Sequence, residues 1–150
     1  MKPLLTMRSI LAGIAGIVWL TSCNPEPRPL AYGTDACHTC KMILADQRFG
    51  SELVTKKGKV YVFDDVNCML SFYNSPEFDP FSLAYTLVVD YEHPAQFLNA
   101  GHVFFIKSDA IRSPMDSRVA AFETYDRALA FKRAKGGILL GWAEVTTQFK

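Results

Sequence analysis

The run Cys37-His38-Thr39-Cys40-Lys41-Met42 gathers two thiols, an imidazole and a thioether into one short stretch. Thiolate and thioether sulfurs are soft donors that favour Cu(I) over hard cations, and a cysteine pair also suits zinc or a redox disulfide. A thioredoxin-like pair stands between a strand and a helix. Here a proline-rich segment precedes Cys37 and strand-like residues follow Cys40, which argues against an oxidoreductase built on Cys37 and Cys40 but leaves it as the alternative. A structural zinc site needs four protein ligands, and no second CxxC or HxxxH follows; zinc could still bind opportunistically through Cys37, Cys40 and His38. Cu(I) accepts two or three soft ligands, so Met42 fits it as a thioether donor, although Met42 could also be core beside Ile43 and Leu44. Met115 follows a proline in a loop and offers a further thioether, or an ordinary half-packed side chain. His38 is a possible ligand or a supporting group beside one. Cys68 reads as packing on a helix, and His93 and His102 as isolated surface or loop residues.

The totals bound what can surround this stretch. A chain of 150 residues allows one domain with a short appendage. Hydrophobic residues make up 49% and charged residues 21%, a globular balance. The formal net charge of +1 gives no argument for nucleic acid. Four cysteines are too few to build a disulfide scaffold of this length, so the core must come from apolar burial.

The N-terminal residues read as targeting. Lys2 and Arg8 supply positive charge, and Ile10 to Leu20 is apolar or small without charge, too short for a helix that spans a bilayer of roughly 30 Å. The run ends in Leu20-Thr21-Ser22-Cys23, which resembles a bacterial lipobox. Residues 1–22 are then a lipoprotein signal peptide, Cys23 is the lipidation site, and 23–36 is a tether stiffened by Pro25, Pro27 and Pro29. Residues 37–150 form the domain. That places the protein on the periplasmic or extracellular face of the envelope. Asn24, where an aspartate could signal inner-membrane retention, leans towards the outer membrane in a Gram-negative cell.

Elements that could position the sulfurs follow in order. Phe49 to Thr55 and Lys59 to Phe63 read as strands joined at Lys56-Lys57-Gly58. Asp64 or Asp65 caps a helix to about Tyr73, with Val66, Met69, Leu70 and Tyr73 on one face. Phe81 to Val89 and Gly101 to Lys107 read as strands, with Tyr91 to Asn99 and Ser108 to Asp116 as loops. Arg118 to Phe122 is a strand, Thr124 caps a helix to about Lys135, Gly136-Gly137 stops it, and Ile138 to Thr147 closes as a strand. Strand then helix occurs twice, which predicts an internally duplicated α+β domain with helices packed on antiparallel sheet.

Together these residues resemble the NosL family, lipoproteins that accompany nitrous oxide reductase. The shared pattern is the lipobox, Cys40-Lys41-Met42 after a short tether, Arg48-Phe49, and Phe63-Asp64-Asp65 at the head of the first helix. Ser113-Pro114-Met115 leading into Ala120-Ala121-Phe122, then Asp126-Arg127-Ala128 and Gly136-Gly137, complete it. The resemblance implies a non-enzymatic copper chaperone that binds Cu(I) and delivers it to nitrous oxide reductase and its maturation machinery. It also implies paired ββα-like half-units similar to part of organomercurial lyase. By position it makes Cys40, Met42 and Met115 candidate ligands. Cys37 is a departure, giving a CxxC that could replace a methionine ligand or close a protective disulfide.

Overall fold

The computed structural model describes residues 24–149, so the signal peptide expected at 1–22 and the lipidation expected at Cys23 lie outside the described residues. Two antiparallel sheets share one connectivity. In the first, β1 (Ser51–Thr55) and β2 (Val60–Phe63) form a hairpin, α1 (Val66–Tyr73) crosses over, and β3 (Leu83–Val89) returns beside β1. In the second, β5 (Phe104–Lys107) and β6 (Val119–Phe122) pair, α2 (Tyr125–Lys135) crosses over, and β7 (Ile138–Leu140) returns beside β5. With β4 (Phe97–Asn99) at the edge beyond β3, the strand orders are β2-β1-β3-β4 and β6-β5-β7, so each half-unit keeps its first strand between its second and its last. This is the expected α+β architecture, with the internal repeat extended by one strand per half.

Two expected elements differ. The loop expected over Tyr91 to Asn99 contains β4 (Phe97–Asn99), which pairs with β3 through Val88 and Leu98. The strand expected over Ile138 to Thr147 ends at Leu140 and gives way to α3 (Trp142–Gln148). There the Glu144 carboxylate accepts the Gly141 amide at 2.9 Å, and Trp142 and Val145 recur at helical spacing against the core.

Period-two alternation divides the second sheet between two apolar clusters. Phe105, Val119 and Ala121 face the cluster that also holds Leu53, Phe63, Met69 and Cys68. Ile106, Ala120 and Phe122 face the other way, onto Ala128 and Phe131 of α2. Each fully buried Phe or Leu contributes roughly 2 kcal/mol of hydrophobic free energy. The sheets are joined where the Tyr91 amide donates to the Ala121 carbonyl at 2.9 Å.

The segment expected as tether is joined to the domain from Arg28 onward. The Arg28 amide donates to Glu52 Oε1 at 3.1 Å, and its guanidinium clamps Asp35. Leu30 and Tyr32 lie directly on Gly50, where an added Cβ would fall 2.3 Å from Leu30 Cδ1 and 2.4 Å from the Tyr32 hydroxyl. Residues 31–44 then turn back on themselves, with Gly33 donating to Leu44 and an antiparallel bridge between Ala36 and Ile43.

Glu52 is buried beneath this segment with Oε2 lacking a partner, and burial pushes its carboxyl up to about 7 from 4.5, partly offset by the Arg28 amide. The folded protein therefore holds a proton that the unfolded chain releases between those two values, so stability declines as pH rises through that window and is level above it. Glu52→Gln is expected to abolish the decline and raise the melting temperature at about pH 8, measured by thermal denaturation across the window.

Candidate metal centre

The loop 37–42 is a closed turn. The Cys37 amide donates to the Met42 carbonyl at 2.8 Å, the Lys41 amide to the Cys37 carbonyl at 3.0 Å, and Lys41 takes the left-handed conformation, φ 65°. A non-glycine residue held there costs about 1 kcal/mol, and such strain gathers at functional sites. Two contacts seat the turn on the first half-unit. The His38 amide donates to the Val62 carbonyl of β2 at 2.7 Å, and the Thr39 hydroxyl to the Cys68 carbonyl of α1 at 2.8 Å.

This seating brings Cys37, Cys40, Asp64 and Cys68 together, their ligand atoms all within 4.8 Å of one another. Cys37, Asp64 and Cys68 are buried, while Cys40 is partly exposed and donates from Sγ to Asp64 Oδ2 at 3.4 Å. Asp65, not Asp64, caps α1, accepting the Asn67 amide, which frees Asp64 to point at the thiols. Asp64 Oδ1 is buried without a partner. An orphaned carboxylate oxygen among three thiols is a costly arrangement that a bound cation would satisfy.

Cys68 donates its proton towards the Cys37 sulfur, and the amides of Cys40 and Asp64 face the same atom, so Cys37 falls to about 6 despite burial. Cys68 correspondingly keeps its proton well above the ordinary thiol range, and burial also raises Cys40. Cys37 is thus the thiol that ionises most readily, and Cys40 and Cys68 hold their protons more firmly until a metal displaces them.

The remaining candidates divide. Met42 is 54% exposed and is not core, which leaves its thioether free on the same turn as Cys40. Met115 is half-buried against the apolar cluster containing Cys37 and Cys68. Its amide donates to Asp65 Oδ2 at 2.9 Å and its carbonyl accepts from Asn67 at 2.8 Å, so the second half-unit does reach the head of α1. The His38 ring instead stands edge-on to Tyr61 and Phe72, centroids 4.8 and 4.7 Å away, and is not in the cluster; burial, with Lys41 and Lys59 nearby, lowers its pKa. Cys68, whose sequence context predicts helix packing, is in the cluster, and Asp64, a cap candidate by sequence, faces the thiols instead. The signal was present: Asp64 and Cys68 at spacing four bracket the first turn of the helix. With them the site offers four donors, so the sequence argument that a four-ligand ion lacks partners no longer holds.

A model of the NosL family matches residues 31–149. The chain belongs to the NosL family. Among solved structures, its fold is similar to the crystal structure of the copper chaperone NosL from Shewanella denitrificans, with a TM-score of 0.68 and 24% identity over 80% of this chain and 95% of that one. No curated protein sequence matches the chain. The NosL match begins at Ala31, between the two residues that lie on Gly50, and includes every residue of the cysteine cluster.

Removing the Cys68 donor should return Cys37 towards an ordinary thiol. In Cys68→Ala the thiolate absorbance at neutral pH is expected to fall, its titration midpoint moving up by at least about one unit. An unchanged midpoint would mean that the two sulfurs do not share the proton.

Proposed function

We propose that this chain is a Cu(I) carrier, held by lipid on Cys23 to the extracytoplasmic face of the envelope. It hands copper to a copper enzyme, in the first instance nitrous oxide reductase. The observation that carries this reading is the convergence of three thiols, two of them buried behind the partly exposed Cys40, with the exposed Met42 two residues further along the same turn. Family membership supports the cargo, since the structurally similar NosL is described as a copper chaperone.

The chemistry follows from exposure. Copper arriving from a donor meets Cys40 and Met42 first, because Cys37 and Cys68 are shielded. Soft sulfur ligands hold Cu(I) in two- or three-fold coordination, which leaves room for a ligand from the receiving protein. Loss of the Cys40 proton accompanies uptake, and its return accompanies release. Met115 closes the site from the second half-unit, and the buried Cys37 thiolate retains the ion when no acceptor is present.

The oxidoreductase reading is disfavoured by the same geometry. A thiolate that attacks a substrate disulfide must reach it, and Cys37, the thiol with the lowered pKa, is fully buried. Nor does the pair open a helix; it sits at the tip of a turn preceding β1.

Competition against a Cu(I) chelator tests the assignment. Met42→Ala is expected to weaken Cu(I) about tenfold, or ~1.4 kcal/mol, with little effect on zinc, whereas Cys40→Ser should weaken both. Wild-type affinity for Cu(I) in both variants would contradict the site, and stoichiometric binding to neither metal by the reduced protein would contradict the function.

A further inference from the structure

At the far end of β1 from the Arg28 attachment, the chain exposes an aromatic side chain beside a turn that carries three lysines. Lys56, Lys57 and Lys59 are all exposed at the β1–β2 turn. The adjoining 3-10 turn, Pro80–Ser82, is bonded to it: the Lys56 amide donates to the Ser82 carbonyl and the Lys56 ammonium to the Phe81 carbonyl, both at 2.8 Å. This holds Phe81 outward at 87% exposure, with Tyr85 of β3 38% exposed on the strand that follows. Asp79 caps the turn through the Phe81 amide, so the outward ring is fixed by its backbone.

We propose that this tip is a docking surface for an anionic phospholipid bilayer. The inference rests on the lipid-anchored reading given above. A lysine-bearing turn next to an exposed aromatic ring matches an interface whose headgroups are negative and whose acyl boundary accepts apolar side chains. Glu77 and Asp79 offset part of the lysine charge, so ring insertion and electrostatic attraction act together.

Reach is consistent with this partner. From Cys23 to Arg28 the chain extends at most about 17 Å, and from Glu52 to Lys56 the strand covers about 13 Å. An acyl anchor on Cys23 and the hairpin tip can therefore touch one bilayer. Docking by the tip would limit tumbling on the short tether. The Lys59 ammonium lies over Tyr61 at 4.6 Å, and Tyr61 packs on His38, so the copper loop would be set at the flank of the docked face. That position suits exchange with partners anchored in the same membrane.

The full chain, expressed in cells and extracted from membranes, is reconstituted into vesicles of phosphatidylcholine alone or with about one-third phosphatidylglycerol. Lysines are acetylated briefly and quantified by mass spectrometry, with the acyl mass on the Cys23 peptide read from the same sample. Labelling of Lys56, Lys57 and Lys59 should fall roughly tenfold in the anionic vesicles only, with Lys132 and Lys135 unchanged. About 1 M salt or Phe81→Ser should restore labelling. Equal labelling of the tip in both vesicle types overturns docking even if Cys23 is acylated. Protection that follows protein density in neutral vesicles also overturns it, in favour of contact between copies. An unacylated Cys23 overturns the anchor, whatever the footprint shows.

Discussion

A third sulfur joins Cys37 and Cys40 because the residue between them is bonded to the helix that carries it. The Thr39 hydroxyl donates to the carbonyl of Cys68 itself, and the neighbouring His38 amide extends the edge strand β2 by one bond. These bonds set the turn over the first half of α1. Without them the pair would be two thiols on a surface loop, and the Asp64 carboxylate would be buried facing nothing. The site is therefore a product of docking between the N-terminal turn and the first half-unit. Arg28, Leu30 and Tyr32 belong to it as the supports that hold that turn in place.

Asp65 performs the matching service from the other side. One oxygen caps α1 and the other accepts the amides of Met115 and Ser117, at 2.9 and 3.4 Å. A single buried carboxylate thus starts the helix of the first half-unit and fixes the loop of the second. In a duplicated fold the two halves need defined junctions, and this one, unlike that at Tyr91 and Ala121, is made by the sequence neighbour of the cluster residue Asp64. Adjacent aspartates divide the labour: Asp65 organises backbone, and Asp64 faces the thiols.

Local signals explain what could be read in advance. Lys56-Lys57-Gly58 specified a turn, Thr124 capped a helix, and Gly136 and Gly137, at φ 74° and 118°, stopped it where left-handed backbone is needed. Non-local partners were hidden. Phe97–Asn99 becomes a strand because β3 offers it an edge, and Cys68 becomes a site residue because a turn nearly thirty residues earlier lands on it. Nothing in the sequence distinguishes which of two neighbouring aspartates caps a helix. The last segment has the apolar content of a strand in Leu139, Leu140, Trp142 and Val145, and only the Glu144 cap on Gly141 turns it into a helix. The tether is shorter than residues 23–36 for a similar reason, since Leu30 and Tyr32 are packed through their contact with Gly50.

The central physical idea is that sulfur from both half-units surrounds one soft ion. X-ray absorption at the copper K-edge of the reduced, copper-loaded protein tests it most directly. An edge characteristic of Cu(I) and a first shell made up of sulfur scatterers, with one fewer in Met42→Ala or in Met115→Ala, is the expected result. A first shell dominated by nitrogen or oxygen, or one unchanged by loss of either methionine, would contradict it.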